Sequence, residues 1–183
     1  MKKVLTLAAV LTPATSLAHG LSDHGGVVSG LVHPLSGADH VIAMLAVGLL
    51  AANLGGRAVW MVPLGFVSAL VAGGVLAPLL PGLTMVEPMI LASLVVLGSM
   101  VALALRPALP LSVAMVALFG LAHGWAHGSE APAQGFALYA MGFVFSTAAL
   151  HLAGLGLSRV LTPGVVRAMG ALSAGAGVAL ALA

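Results

Sequence analysis

Two clusters of histidine and acidic residues interrupt an otherwise apolar sequence. In the first, HPLSGADH, His33 and His40 are seven residues apart and would share one face of an α-helix, with Asp39 beside them. Pro34 suits a helix start, and Gly37 lets another backbone or a ligand approach closely. An aspartate in the hydrocarbon core costs roughly 2.5–3.5 kcal/mol. We therefore expect a ligand-binding segment here, the alternative being a solvated helix cap near the membrane surface.

The second cluster is HGWAHGSE. His123 and His127 have i, i+4 spacing and Glu130 follows three residues later, so that all three share one face of a continuous helix. This spacing is typical of a metal chelate. The alternative is a pair of membrane histidines that hydrogen-bond to backbone. Gly124 and Gly128 weaken the helix, so this end could be unwound and could line a cavity.

Composition indicates an integral membrane protein. Of 183 residues, 61% are hydrophobic and 5% are charged, and the mean hydropathy is +1.21. A soluble domain needs more polar surface than this. The absence of cysteine excludes disulfides, iron–sulfur clusters and thiolate metal sites. The six basic residues are scattered, and nothing indicates nucleic-acid binding, so the expected surroundings are membrane lipid.

Residues 1–18 read as a secretory signal peptide. Lys2 and Lys3 form its charged region, and a short apolar core is followed by small residues at the −3 and −1 positions of a cleavage site. The mature chain would then begin at His19, outside the cytoplasm. With His24 nearby, this terminus is either a metal-capturing tail or an ordinary polar leader.

The rest of the chain, 19–183, is predicted to be a single all-α domain of six transmembrane helices. Apolar runs of about 20 residues, the length that spans a bilayer, are separated by short breaks. The predicted helices are Leu31–Ala52, Ala58–Ala77, Val86–Leu105, Leu109–Trp125, Ala133–Leu155 and Pro163–Leu182. Small residues recur every four positions in the second helix (Gly65, Ala69, Gly73) and in the sixth (Gly170, Ala174 and Ala171, Gly175). Such faces favour close helix packing, and they could equally form a homo-oligomer.

The arginines predict the orientation. Arg57, Arg106, Arg159 and Arg167 all fall in or beside the loops that are cytoplasmic if the N-terminus is outside, while the other two loops contain no Lys or Arg. Both termini would then be periplasmic in a multi-pass protein of the bacterial inner membrane.

This topology collects the candidate ligands in the outer half of the bundle. They are His33, Asp39, His40, Glu87, His123, His127 and Glu130. Taken alone, Glu87 also fits a helix-start carboxylate. His151 lies about 25 Å from the outer start of its helix, near the inner side, as an exit or relay position. Imidazoles and carboxylates without thiols suit Ni²⁺, Co²⁺ or Zn²⁺.

The segment HPLSGADHVIAMLAVG resembles the signature of the HupE/UreJ family, hydrogenase and urease accessory membrane proteins regarded as nickel or cobalt permeases. The resemblance extends over the whole chain, including HGWAHGSE. It implies uptake of Ni²⁺ or Co²⁺ to supply a nickel enzyme such as hydrogenase or urease. The matching positions that it marks as functional are His33, Asp39, His40, Glu87, His127 and Glu130, with Phe66 as a residue that lines the pathway.

Three functions fit the residues. The first is a permease, which would be no enzyme, would hold no permanent cofactor, and would carry a divalent metal ion as its substrate. The second is a metal-dependent intramembrane hydrolase, in which the histidines and carboxylates hold Zn²⁺ and activate water. The third is a haem protein with paired histidine ligands. Dispersed candidate ligands favour the permease, because a hydrolase needs one closed ligand set with a single open position.

Reporter fusions test the predicted topology. Fusions at Pro81 and Ala133 should report the periplasm, and fusions at Gly56, Pro107 and Leu161 the cytoplasm, because the positive loops stay inside. A cytoplasmic signal at Ala133 would place the second cluster on the wrong side of the membrane and contradict the proposed gathering of ligands.

Overall fold

The computed structural model describes residues 26–79, 83–132 and 134–183. Within these ranges the chain is all-α and contains no strand, as predicted. The helices are α1 (Val27–Ser36), α2 (Ala38–Leu54), α3 (Ala58–Leu76, extended by a 3₁₀ turn at Ala77–Leu79), α4 (Val86–Ala102), α5 (Leu109–Glu130), α6 (Phe136–Val160) and α7 (Pro163–Ala181). The predicted signal peptide, with His19 and His24, lies outside the described residues.

The first helix was predicted as one continuous element, and this prediction is wrong. The helix begins earlier, at Val27, and breaks at Gly37, where the backbone is extended and the axes of α1 and α2 differ by 90°. The Ser36 hydroxyl donates a hydrogen bond to the His33 carbonyl oxygen at 2.6 Å and helps to end α1. Pro34 lies inside α1 rather than at a helix start. The two histidines of the first motif are therefore on different helices.

Length and composition identify the helices that could span a membrane. Within the described residues, α3 with its 3₁₀ turn, α5, α6 and α7 are long and apolar enough, and the bent pair α1–α2 could provide a fifth span. At 17 residues, α4 is apolar but shorter than the other spans. The unwinding considered for the second motif is not observed, because α5 continues as a helix to Glu130.

Helix α2 forms the centre of the bundle. It contacts α3, α4 and α6, and every residue from Ala46 to Ala51 is buried. This explains why α2 is apolar on all sides rather than amphipathic. Around it, α3 packs along α5 and α4 packs along α7, whereas α6 packs against both α1 and α2.

Glycine allows the helix backbones to meet without intervening side chains. A Cβ at Gly48 of α2 would collide with the backbone of α6 at His151, and a Cβ at Gly154 would collide with the Leu45 carbonyl of α2. A Cβ at Gly124 of α5 would meet the Leu70 carbonyl of α3 in the same way. These contacts set the depth at which α5 and α6 present their side chains.

Some of the small residues that were predicted to pack against a neighbouring helix do so, and others do not. Gly73 lies against the α5 backbone, and Gly170 packs against Gly98 of α4, as close packing requires. In contrast, no heavy atom would lie within 4 Å of a Cβ at Gly175. The homo-oligomer that such a face could form stays a prediction.

Side chains of α2 and α7 form hydrogen bonds to backbone carbonyls at one end of the bundle. Asn53, near the end of α2, donates to the Leu105 carbonyl at 3.0 Å, and Arg167 of α7 donates to the Ala102 carbonyl at 2.7 Å. Arg57 begins α3 at this same end. The C-terminus of α5, with Glu130, lies at the other end because α5 starts beside Leu105. Basic and acidic side chains thus occupy opposite ends.

Replacing Gly154 by alanine should disrupt the α2–α6 contact. Overpacking of this kind costs about 1–3 kcal/mol, which exceeds the roughly 0.5–1 kcal/mol that alanine gains over glycine in a helix. Gly156→Ala is the matched control, since a Cβ there would have no heavy atom within 4 Å. Thermal unfolding in detergent should show a lower midpoint for Gly154→Ala only. Equal midpoints would contradict the close α2–α6 contact.

Candidate metal site

The five histidines that the structure describes lie in one file, in which four rings contact one another directly and the fifth is reached through the ring of Phe66. The order is His33, His127, His40, His123 and His151, which we call the histidine file. The first four rings follow one another with centroid separations of 4.9, 4.2 and 5.1 Å. The ring of Phe66 lies between the last two, 5.4 Å from His123 and 5.2 Å from His151. The helices that provide these rings are α1, α5, α2 and α6, with Phe66 on α3.

Three candidate metal ligands lie together at the exposed end of the file. Nε2 of His33 lies 3.3 Å from Oε2 of Glu130, and Nδ1 of His127 lies 3.9 Å from the same oxygen. One ligand atom from each of the three residues lies within 4.8 Å of the other two. Adjacent ligands of a tetrahedral transition-metal ion are about 3.3–3.4 Å apart, from metal–ligand distances of about 2.0–2.1 Å. These three side chains could therefore close on a cation with shifts of less than about 1 Å.

The break at Gly37 positions the pair formed by Asp39 and His40. Oδ1 of Asp39 lies 3.0 Å from Nδ1 of His40, in the first turn of α2, where the helix dipole favours a carboxylate. A Cβ at residue 37 would lie 2.8 Å from this oxygen and 2.9 Å from this nitrogen, so glycine leaves space for both. A carboxylate that accepts a hydrogen bond from Nδ1–H leaves the Nε2 lone pair of His40 available to a metal. That Nε2 is buried and has no hydrogen-bond partner among the described residues.

A backbone carbonyl orients the ring of His123, as Asp39 orients the ring of His40. Its Nδ1 lies 2.9 Å from the carbonyl oxygen of Phe119, which can only accept, so Nδ1 must carry the proton. The Nε2 lone pair is then free, buried and without a partner in the described part of the chain. Two neighbouring imidazoles of the file, on α2 and α5, thus have their second nitrogen available for a cation.

His127 lies at the centre of the outer part. Its ring contacts those of His33 and His40, and Phe143 of α6 packs against it with a centroid distance of 4.3 Å. Both of its nitrogens are buried and lack a hydrogen-bond partner within the described ranges. A cavity of about 50 Å³ between α3, α5 and α6 reaches this side chain. His127 therefore joins the three-ligand group to the deeper histidines.

Exposure is highest at the Glu130 end of the file. The Glu130 side chain is 64% exposed and that of His33 28%, whereas those of His127 and His40 are 8% and 13% exposed. His123 and His151 are sealed from solvent. The file therefore opens at the acidic end of the bundle and leads toward the end that carries the arginines.

Comparisons with known proteins agree with the resemblance seen in the motifs. A family model described as HupE / UreJ protein matches residues 7–180. The chain belongs to the HupE/UreJ family. It is 41% identical, over 158 residues, to Protein HupE of Rhizobium leguminosarum bv. viciae, an alignment that covers 86% of this chain and 83% of that protein. No solved structure matches the chain.

The structure of this HupE/UreJ chain changes how the predicted ligands are grouped. His123 and His127 do not form an isolated chelate on one helix, because His40 contacts both rings. At the exposed end, His127 and Glu130 of α5 are joined by His33 of α1. The i, i+4 spacing within α5 could not reveal a side chain contributed by α2.

Glu87 is not among the side chains that the structure brings together. It is exposed in the first turn of α4 and lines a groove with Leu91 and, from α7, Gly177 and Ala181. No ion pair or ring contact within the described ranges connects it to the histidine file. The role that the HupE/UreJ resemblance implies for Glu87 stays a prediction.

Two aromatic residues of α6 that border the site were not predicted from the sequence. Tyr139 and Phe143 lie 5.5 and 6.1 Å from the His33 ring, between centroids, and the Tyr139 hydroxyl is buried without a partner among the described residues. Together with Thr147 and His151 they recur every four residues, so they share one face of α6. That repeat, ending in a histidine, is the signal by which they could have been found.

Replacing His127 by cysteine should change the relative uptake of nickel and cadmium by cells that express the chain. A thiolate favours softer ions, so His127→Cys should lower nickel uptake while sparing or raising cadmium uptake. His127→Ala removes the donor and should lower both. Uptake of labelled nickel and cadmium, normalised to protein in the membrane, measures this. Parallel losses for both metals in both variants would show that His127 is only structural.

Proposed function

We propose that this protein is a permease that carries Ni²⁺ or Co²⁺ across the bacterial inner membrane into the cytoplasm. The imported ion would supply a nickel enzyme such as hydrogenase or urease, as membership of the HupE/UreJ family suggests. The observation that carries the proposal is the histidine file, which runs from an exposed carboxylate to sealed imidazoles.

A path for an ion needs several binding positions of moderate strength, because an ion must be released as well as bound. The file offers such positions on neighbouring rings, 4.2 and 5.1 Å apart between centroids. Nitrogens of His40, His123 and His127 that could bind the ion have no other partner among the described residues. Imidazole nitrogen and carboxylate oxygen suit Ni²⁺ and Co²⁺, and the chain has no thiol that would trap a softer ion.

The proposed orientation places the exposed end of the file in the periplasm. The arginine-bearing end of the bundle would face the cytoplasm, as the positive-inside rule requires. Six crossings after a cleaved signal peptide would put both mature termini in the periplasm. In this arrangement the bent pair α1–α2 makes one crossing, and α4, at 17 residues or about 26 Å, makes a short one.

A metal-dependent hydrolase is the second candidate, because His33, His127 and Glu130 could hold Zn²⁺ with one position left for water. A hydrolase has no use for the further imidazoles that continue the file below this group. Stoichiometric, tightly held zinc in the purified protein, without metal uptake, would favour the hydrolase over the permease.

Asp39→Asn tests the permease directly. The amide keeps the size of the side chain and can still accept a hydrogen bond from His40, but it removes the charge that balances a dication. Nickel uptake should be nearly abolished while the protein still inserts. The control Arg57→Gln removes an exposed charge at the opposite end of the bundle and should be tolerated. Uptake of labelled nickel in cells or proteoliposomes measures both variants. Normal uptake by Asp39→Asn would reduce Asp39 to a helix cap.

A further inference from the structure

His151 is separated from the other histidines by an aromatic ring. Its imidazole lies edge-on to Phe66 at 5.2 Å between centroids, and the same Phe66 ring lies 5.4 Å from the ring of His123, whereas no direct ring contact joins His123 to His151 within the described residues. Phe66 and His123 are completely buried and His151 is 1% exposed. The aromatic ring therefore divides the file into an outer group of four histidines and one inner histidine.

No neighbouring group among the described residues accounts for the burial of the His151 ring nitrogens. Both of its ring nitrogens are buried and neither has a hydrogen-bond partner in the described part of the chain. A buried polar group without a partner costs about 1–3 kcal/mol, so such groups call for a ligand or a functional role. Unlike His123, whose Nδ1 donates to a carbonyl, His151 is not held by the backbone of its own helix.

A second polar group lies one turn from His151. Thr147 is fully buried on the same face of α6, about 6 Å along the helix axis. Its hydroxyl also lacks a hydrogen-bond partner within the described ranges, although a threonine in a helix can bond to the carbonyl four residues before it. Thr147 lies one turn from His151 toward the outer end of α6, so its hydroxyl and the His151 imidazole are neighbouring polar groups on one face of the helix.

The backbone around these groups is held at close range. Gly48 of α2 packs directly against the backbone of α6 at His151, and Gly154 packs against Leu45 one turn further along. This contact fixes the depth of His151 and leaves little room for α6 to shift. Rotation of the Phe66 ring is then the simpler way for an ion to pass between the two groups.

We propose that His151, with the hydroxyl of Thr147 one turn away on the same face of α6, forms an inner binding site for a divalent transition-metal cation, and that the ring of Phe66 lies between His151 and the outer histidines. The inner site deepens the proposed permease function and rests on it. An ion leaves His123, passes the Phe66 ring when the ring turns aside, and binds at His151 before release. The apolar ring keeps the two sites from forming one continuous polar path, as hydrophobic constrictions do in channels.

The absence of cysteine from the sequence provides a direct test. His151→Cys places a single thiol at the inner position of the full-length protein. When Co²⁺ is added to the purified variant, the thiol should lose its proton and bind the ion, which produces a thiolate-to-cobalt absorption band. Ser93→Cys is the matched control, because Ser93 is equally buried but lies on α4, where its hydroxyl bonds to the Ile90 carbonyl.

A cobalt–thiolate band in His151→Cys and none in Ser93→Cys would support the inner site. Thr147→Cys serves as a second position if the first variant fails to fold, and it should also give the band. Absence of the band at both positions, or a band in Ser93→Cys of equal strength, would overturn the proposal. Adding Phe66→Ala to His151→Cys should make the band appear faster, and unchanged kinetics would overturn the dividing role of Phe66.

Measurements of nickel uptake distinguish a failure of the inner site from a failure of the permease function. Uptake by the wild type that is lost in His151→Ala, with cobalt binding at the outer histidines unchanged, supports the inner site. Full uptake by His151→Ala would overturn the inner site and leave the permease intact. A wild-type protein that takes up no metal would contradict the permease, whatever the cobalt band shows.

Discussion

The candidate site depends on imidazole rings that are buried within an apolar helix bundle. His40, His123, His127 and His151 each have at least one buried nitrogen with no hydrogen-bond partner in the part of the chain that the structure describes. Each such group costs about 1–3 kcal/mol in a folded protein. In a chain with 5% charged residues, one partner that could offset this cost is a cation that several lone pairs share.

Close backbone contacts make this arrangement possible. α5 approaches α3 at Gly124 and α6 approaches α2 at Gly48, so the side chains beside these glycines are brought to fixed depths. In lipid, where apolar residues gain little from leaving the solvent, such contacts are a main source of helix association. Gly37 has a local role, because it ends α1 and leaves room for Asp39 and His40. The site is therefore set by small residues as much as by its ligands.

The sequence predicted the helical class and the residues of both motifs, because ionisable side chains stand out in an apolar chain. It could not predict that Gly37 would separate His33 from His40 by a 90° bend, since Pro34 and Gly37 are compatible with either a continuous or a broken helix. It also could not place His40 between His123 and His127, because that contact depends on how α2 and α5 pack. Tyr139 and Phe143 were missed because aromatic residues in a membrane helix resemble ordinary packing residues.

X-ray absorption spectroscopy of nickel bound to the purified protein tests most directly whether the histidine file binds the ion. The proposed arrangement predicts imidazole nitrogens around the nickel, with fewer of them in His127→Ala, because His127 connects the three-ligand group to His40. The Gly156→Ala variant, altered away from any packed neighbour, should give the wild-type spectrum. Nickel surrounded only by oxygen ligands, with the same spectrum in His127→Ala, would contradict a metal path through the histidines.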